Sequence, residues 1–101
     1  MFSQVLSIPA GQDTSEEVGF NRLRYAKSLG VFVESDGEPV TIEVSPVPNG
    51  DVWMSLQKDG ADVSIGAGEA LTIDHPAFCR LRLSTSEDAE DMFFCWIVVR
   101  D

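Results

Sequence analysis

The sequence predicts an all-β protein, an antiparallel β-sandwich or jelly-roll of about eight short strands. Three observations lead to this fold class. Apolar and polar residues alternate with a period of two in short segments, and clusters of Gly, Pro, Asn and Asp separate these segments at intervals of roughly 8 to 12 residues. No stretch has the sustained periodicity of a long helix, so the crossover helices that a parallel α/β sheet needs are missing.

The chain has 101 residues and a mass of 11.1 kDa, and residues 1–101 are expected to form a single domain. Surface scaling indicates that a chain of this length buries about 65% of its unfolded surface, which supports one modest core. The sequence contains no internal repeat and no low-complexity segment that would indicate a different organisation.

The first half of the chain contains four predicted strands and one polar loop at residues 12–17. The strand from Val18 includes a change of alternation phase, which a bulge around Asn21 would absorb. The last of the four alternates regularly, with Val40, Ile42 and Val44 on one face, as expected for a half-buried antiparallel strand. The four predicted strands are Phe2–Ile8, Val18–Tyr25, Leu29–Glu34 and Pro39–Ser45.

The second half continues the pattern after a turn at residues 46–50, whose prolines cannot donate to a strand ladder. Val52, Met54 and Leu56 form the inward set of the next predicted strand, while Trp53 faces the other way. Turns at residues 58–60, 66–68 and 75–76 separate the strands that follow. These remaining strands are Val63–Ile65, Leu71–Asp74, Ala77–Ser84 and Met92–Arg100.

The last strand is apolar on both faces, because no polar residue interrupts it from Met92 to Val99. One face of a strand in a two-layer protein normally meets water, so a second apolar face needs a cover. Either the chain's own loops or another subunit could provide it. Trp53, Phe78 and Phe32 also fall on apparent outward faces, and we therefore predict a subunit interface in a homo-oligomer, a dimer or a trimer.

The charge balance argues against two classes of partner. With 17 acidic and 7 basic residues, the chain has a formal charge of −10, which disfavours electrostatic binding to nucleic acid or to an anionic membrane. Four of the five arginines occur in two pairs at a spacing of two, which places each pair on one face of a predicted strand. We expect Arg22, Arg24, Arg80 and Arg82 to be ion-pair partners for the abundant carboxylates.

No residue pattern indicates catalysis, so we predict no enzymatic activity, no cofactor and no metal. The one histidine, His75, precedes a proline in a predicted turn, and no nucleophile motif is present. The acidic runs at residues 13–17 and 87–91 lack the spacing of a calcium-binding EF-hand loop. Cys79 and Cys95 are predicted as reduced core thiols, with a disulfide possible only if their strands are neighbours.

Several segments, taken in order, resemble the small β-sandwich structural proteins of tailed bacteriophages, which include capsid decoration or cement proteins. The resemblance covers nearly the whole chain and consists of turn and strand residues. Two departures are a longer turn at residues 46–51, braced by two prolines, and Met92 at a place that is often basic. The segments are Ile8 to Gln12 with Ser15, Val44 to Pro46 leading to Trp53 and Leu56, Asp59-Gly60, Phe78, Arg80 to Ser84, and Ala89 to Asp91 before Phe93.

This resemblance implies a structural role in the virion after synthesis in the host cytoplasm, and it implies no catalytic residues. The expected partner is the major capsid protein or another virion protein, and a neck or tail location is an alternative. A carbohydrate-binding β-sandwich module is the main alternative from another class, with sugar stacking on exposed aromatic rings. The candidate contact residues, chosen because aromatic side chains dominate interfaces, are Trp53, Trp96, Phe94, Tyr25, Phe78 and Phe32.

Overall fold

The computed structural model describes all 101 residues, Met1 to Asp101, as antiparallel strands with one helical turn. The predicted all-β class with antiparallel pairing is therefore confirmed. In chain order the elements are β1 (Phe2–Ile8), α1 (Phe20–Leu23), β2 (Ser28–Val33), β3 (Val40–Ser45), β4 (Met54–Ser55), β5 (Gln57–Lys58), β6 (Ala61–Asp62), β7 (Ser64–Ile65), β8 (Ala70–Asp74), β9 (Arg80–Ser84) and β10 (Phe93–Arg100).

The first sheet has four strands in the order β1-β10-β2-β8, and every neighbouring pair is antiparallel. The apolar strand β10 is hydrogen-bonded on both sides, which fits its length and its high content of β-branched and aromatic residues. The register places Val5, Trp96, Phe32 and Ala70 side by side across the four strands. These residues therefore form one row on one face of the sheet.

The second sheet is built around β3, which pairs with β9 on one edge. The other edge of β3 pairs with two short strands, β4 opposite residues 43–44 and β7 opposite residues 40–41. Between them the chain leaves the sheet as the hairpin β5–β6. Asp59 and Gly60 have φ values of 56° and 81°, as a two-residue turn of type I′ requires. The two strands predicted around residues 52–56 and at Val63–Ile65 therefore both pair with one edge of β3, and a short hairpin lies between them.

The two sheets share one core, a cluster of 17 buried apolar residues. The first sheet contributes residues such as Leu6, Val31 and Ile97, and the second contributes residues such as Ile42 and Leu83. These side chains come from alternate strand positions, so each strand of the cluster has one buried face. Burial of this apolar surface is the main stabilising contribution to the fold.

The prediction of a strand from Val18 to Tyr25 is wrong. Val18 forms a single bridge to Leu81, and the chain then turns into the one-turn helix α1, closed by the Arg24 N–H donating to the Phe20 carbonyl at 3.0 Å. The change of phase that predicted a bulge is the three-residue spacing of a helical turn, which buries Leu23. Arg22 and Arg24 therefore do not share the face of a strand.

The second half of the chain requires two further corrections. Val52 and Met54 are not inward residues: their side chains are 45% and 54% exposed, because the strand here is a two-residue edge segment with little sheet above it. Both cysteines are free, since Cys79 lies just before β9 in the second sheet and Cys95 lies on β10 in the first. The two cysteines form no disulfide, and the prediction of a core thiol is confirmed for Cys95 but wrong for Cys79, which is only partly buried.

Candidate functional site

The outer face of the first sheet carries a contiguous group of apolar side chains, which we call the aromatic face: Val5, Phe32, Phe94, Trp96 and Val98. Strand β10 alternates between buried and outward residues along its whole length, so Phe94, Trp96 and Val98 all point away from the core. Four of these side chains are extensively exposed: Val5 50%, Phe32 43%, Phe94 38% and Trp96 41%.

The aromatic face is low in relief around Phe32 because this ring lies over Gly30. A β-carbon at Gly30 would be 3.0 Å from Cε1 and 3.5 Å from Cζ of Phe32. The missing side chain thus lets the ring lie down along the sheet. Beside the ring is a shallow depression of about 210 Å³, lined by Ser28, Gly30, Phe32, Thr72, Val98 and Arg100.

Charged groups stand only at the two ends of the aromatic face. At one end the Phe94 N–H donates to the Glu34 carboxylate at 2.9 Å. At the other end the register places Arg100, Ser28 and Asp74 in one row. An apolar centre with a polar rim is typical of surfaces that bind another protein.

The outer face of the second sheet also carries an aromatic ring, but here the chain covers the ring itself. The guanidinium carbons of Arg80 and Arg82 lie 4.6 Å and 4.3 Å from the centroid of the Trp53 ring. Arg82 Nε donates to Glu43 at 2.7 Å across the β3–β9 pair. Trp53 is therefore packed against two cations of its own sheet.

Arg80 is the centre of this second cluster and is only 4% exposed. Its Nη1 donates to both carboxylate oxygens of Glu17 at 3.2 Å, and its Nη2 donates to Ser45 Oγ at 3.1 Å. It also donates to the carbonyls of Val47 at 3.1 Å and Gly50 at 2.7 Å. The buried guanidinium thus pins the turn at residues 46–50 to β9, and its role is structural.

The remaining predicted site residues lie elsewhere. Tyr25 is 72% exposed, and the Arg24 guanidinium lies 4.7 Å from its ring centroid. Arg22 lies 4.1 Å from the ring of Phe2, and neither Arg22 nor Arg24 forms an ion pair. Phe78 lines a groove between the two sheets. The structure therefore brings Phe32, Phe94 and Trp96 together and places Trp53, Tyr25 and Phe78 apart from them.

Sequence reasoning missed two members of this surface. Val5 belongs to the aromatic face because β1 pairs with β10, and the alternation of Phe2–Ile8 already placed it opposite Leu6. Gly30 looked like an ordinary strand glycine. Its contribution depends on Phe32 two positions later, and the i, i+2 spacing on one strand face was the available signal.

One titratable group with a clearly raised pKa lies on the inner face of β10. The pKa of the Cys95 thiol rises from 9.0 to about 12, first because it is buried and second because the Glu34 carboxylate is near. This thiol stays protonated at neutral pH and is a poor nucleophile. No group of three or more His, Cys, Asp or Glu side chains is arranged to hold a metal ion. The structure has no helix with the length and apolar character needed to cross a membrane.

Comparison with known proteins informs the fold alone. No protein-family model matches the chain, and no curated protein sequence matches it. Among solved structures, the chain is similar to the solution NMR structure of a de novo designed double-stranded β-helix, with a TM-score of 0.51 and 10% sequence identity. That similarity covers 99% of this chain and 100% of the designed one.

Proposed function

We propose that this protein is a structural protein of a tailed-phage virion, a capsid decoration protein that binds the assembled head through the aromatic face. The proposal rests on two supports of different kinds. The sequence resembles small β-sandwich virion proteins from Ile8 to Phe93. The structure has an open apolar sheet face and no cluster of metal-ligating side chains.

We infer further that the two sheets form a β-sandwich of the jelly-roll type. Two observations support this finer description. Residues of both sheets enter the same buried cluster, as two sheets packed face to face require. The chain is also similar in fold to a double-stranded β-helix along nearly its whole length.

The exposure of Phe32, Phe94 and Trp96 on one sheet face is the observation that carries the function. Burial of large aromatic side chains contributes much of the binding energy at protein interfaces. The Trp96 and Phe32 rings share one row across β10 and β2, and the Phe94 ring lies in the next row on β10. A single partner surface can therefore bury all three. A partner that binds these rings needs no reactive group on this protein.

The proposed mechanism is stabilisation by mass action. A protein that binds the assembled lattice and not its separated subunits stabilises the lattice by its own binding free energy. The charge of −10 keeps unbound copies soluble, while the aromatic face supplies the contact. Many copies that bind weakly can therefore brace a head without any chemical step.

The test begins with particles released by cells that carry the gene. Mass spectrometry of purified virions should detect the protein, and heads from a deletion strain should release DNA at a lower temperature or after milder chelation. Addition of the purified protein should restore their resistance. Absence of the protein from every particle would contradict the virion role, whereas detection in tails without heads would move the protein to the neck or tail.

The carbohydrate-binding alternative makes a different prediction. A sugar platform needs an accessible aromatic ring with hydrogen-bonding side chains beside it. Trp53 has two guanidinium groups on its ring, and the aromatic face has no charged side chain in its central row. We therefore expect no binding on a glycan array. Saturable binding of one glycan, lost in Trp53→Ala or Trp96→Thr, would favour the alternative.

A further inference from the structure

Strand β8 is an edge strand whose second edge has no partner. The Val33 N–H donates to the Glu69 carbonyl, and the His75 N–H donates to the Lys27 carbonyl. In an antiparallel ladder the bonded pairs alternate, so odd-numbered residues of this segment bond to β2. The backbone groups of Ala70, Thr72 and Asp74 therefore point to the open edge, and none of them has a hydrogen-bond partner in the protein.

The opposite edge of the same sheet is protected. On β1 the Ser7 N–H faces away from β10 and donates to both carboxylate oxygens of Glu16, at 3.2 and 3.1 Å. The Ser7 hydroxyl donates to the same carboxylate at 3.1 Å. A strand added to β1 would have to displace this charge, which is a common protection of exposed edges. At β8 no side chain bonds to the edge backbone in this way, although Gln57 and Lys58 of the β5–β6 hairpin line a depression together with Thr72 and Asp74.

An apolar groove lies beside the open edge, between β8 and the strand position of β4. Its volume is about 350 Å³, and six of its nine lining residues are apolar, among them Met54, Leu56 and Ile73. A second depression of about 370 Å³ continues along β8 past Val63 and Leu71. Strand addition uses two elements: free backbone hydrogen-bonding groups at a sheet edge, and an apolar groove beside them. Both are present at β8.

We propose that β8 pairs with β8 of a second copy of this chain, antiparallel, around a two-fold axis at Thr72. This register places Thr72 opposite itself and Ala70 opposite Asp74 of the partner subunit. All three edge-facing residues then form hydrogen-bonded pairs, with two bonds for each pair. A two-fold contact is self-complementary, so the same open edge serves both copies.

The side chains on this register are compatible with the pairing. Thr72 opposite Thr72 of the partner subunit is a favourable cross-strand pair. The small Ala70 meets Asp74 of the partner subunit, so no two carboxylates lie directly opposite. Just outside the strand, the Glu69 carboxylate is held by the Gly66 N–H of its own chain at 2.8 Å, and His75 has a φ of 50°, so the pairing ends at Ala70 and Asp74. These matches occur when β8 pairs with an antiparallel second copy of β8. An unrelated peptide would not share them.

The pairing would join two four-stranded sheets into one of eight strands. The aromatic faces of both copies would then lie on the same side of one continuous sheet, because Ala70 and Thr72 share that side with Phe32. The dimer contact is confined to one strand edge, so we expect its affinity at the weak end of specific interfaces. Salt should strengthen it, because each copy has a charge of −10.

Sedimentation equilibrium of the wild-type protein and two variants tests this proposal. Thr72→Pro removes one edge donor and leaves every hydrogen bond to β2 in place. Ser3→Pro makes the matched change on the outer edge of β1. We expect the wild type and Ser3→Pro to dimerise at concentrations up to about 500 µM. Thr72→Pro should dimerise at least tenfold more weakly, with unchanged circular dichroism.

Thr72→Glu provides a second variant if the proline perturbs the fold, since it retains every backbone group and places two like charges at the axis. It should also dimerise at least tenfold more weakly than the wild type, and high salt should partly restore its dimer. A wild type that remains an 11.1 kDa monomer at 500 µM and high salt would overturn the proposal. So would a dimer that survives both Thr72 changes, or one lost in Trp96→Thr instead. None of these outcomes depends on the virion role.

Discussion

The outer faces of the two sheets both carry tryptophan, but only one of them is covered by the chain itself. On the second sheet Trp53 lies against Arg80 and Arg82, whose charges are balanced by Glu17 and Glu43. On the first sheet Trp96 lies in an uncharged row and is 41% exposed. Similar residue types thus produce a surface whose tryptophan is covered by the chain's own side chains on the second sheet, and a surface whose tryptophan is uncovered on the first.

The difference separates stability from binding. On the second sheet the Arg80 guanidinium holds a turn through two carbonyls and the Arg82 guanidinium holds Glu43, so both contribute to folding. The exposed rings of the first sheet make cross-strand contacts but leave much of their surface in water. This exposed surface contributes no burial free energy to folding. We therefore expect substitutions on the second face to affect mainly the free energy of unfolding, and substitutions on the first to affect mainly binding.

The largest expected effect on stability is at Arg80. Arg80→Leu leaves the Glu17 carboxylate without its partner and two turn carbonyls without a donor, so the free energy of unfolding should fall by about 3 kcal/mol. Urea denaturation measures it. The matched control is Arg82→Leu, whose side chain is 27% exposed, and here we expect a loss of about 1 kcal/mol. Equal losses for both would break the contrast between the buried Arg80 and the partly exposed Arg82–Glu43 pair.

A smaller effect is expected at Trp96 and Phe94. Replacing either by Thr retains a good strand former and removes cross-strand contacts worth about 1 kcal/mol. Thermal and urea unfolding of both variants provide the measurement. A loss as large as that of Arg80→Leu would mean that these rings complete the fold, and the aromatic face would no longer qualify as a surface held open for binding.

The inward side of the same strand makes a prediction about pH. The pKa of Cys95 is raised from 9.0 to about 12 in the folded protein, so above pH 9 the unfolded chain loses this proton while the native state retains it. The contribution to stability is complete below pH 9 and declines as the pH rises toward 12. Wild-type stability should therefore fall more steeply across that range than the stability of Cys95→Ala. Parallel slopes would contradict the raised pKa.

The smallest expected effect is at Gly30. An added methyl group would lie 3.0 Å from the Phe32 ring, so Gly30→Ala should tilt this ring outward while the backbone changes little. Loss of backbone freedom in the unfolded chain offsets the crowding, and the free energy of unfolding should change by less than about 1 kcal/mol. The chemical shifts of the Phe32 ring protons report the movement. Unchanged chemical shifts would show that the position of the Phe32 ring does not depend on the absence of a side chain at Gly30.

The sequence predicted these features unequally, for physical reasons. The last strand was apolar on both faces, and this pattern alone indicated a surface in need of a partner. The one-turn helix at Phe20 was missed, because four residues are too few to show helical periodicity. The setting of Trp53 was missed too, since it depends on Arg80 and Arg82, which β3–β9 pairing brings from a distant part of the chain.

The central claim is that the aromatic face docks the protein onto its partner. Its most direct test is cosedimentation of purified heads that lack the protein with wild type, with Phe94→Thr/Trp96→Thr, and with Tyr25→Ala, an exposed aromatic residue outside the face. Wild type and Tyr25→Ala should bind saturably, and the folded double variant should bind at least about 30-fold more weakly. Equal binding by the double variant, or no binding by the wild type, would contradict the claim.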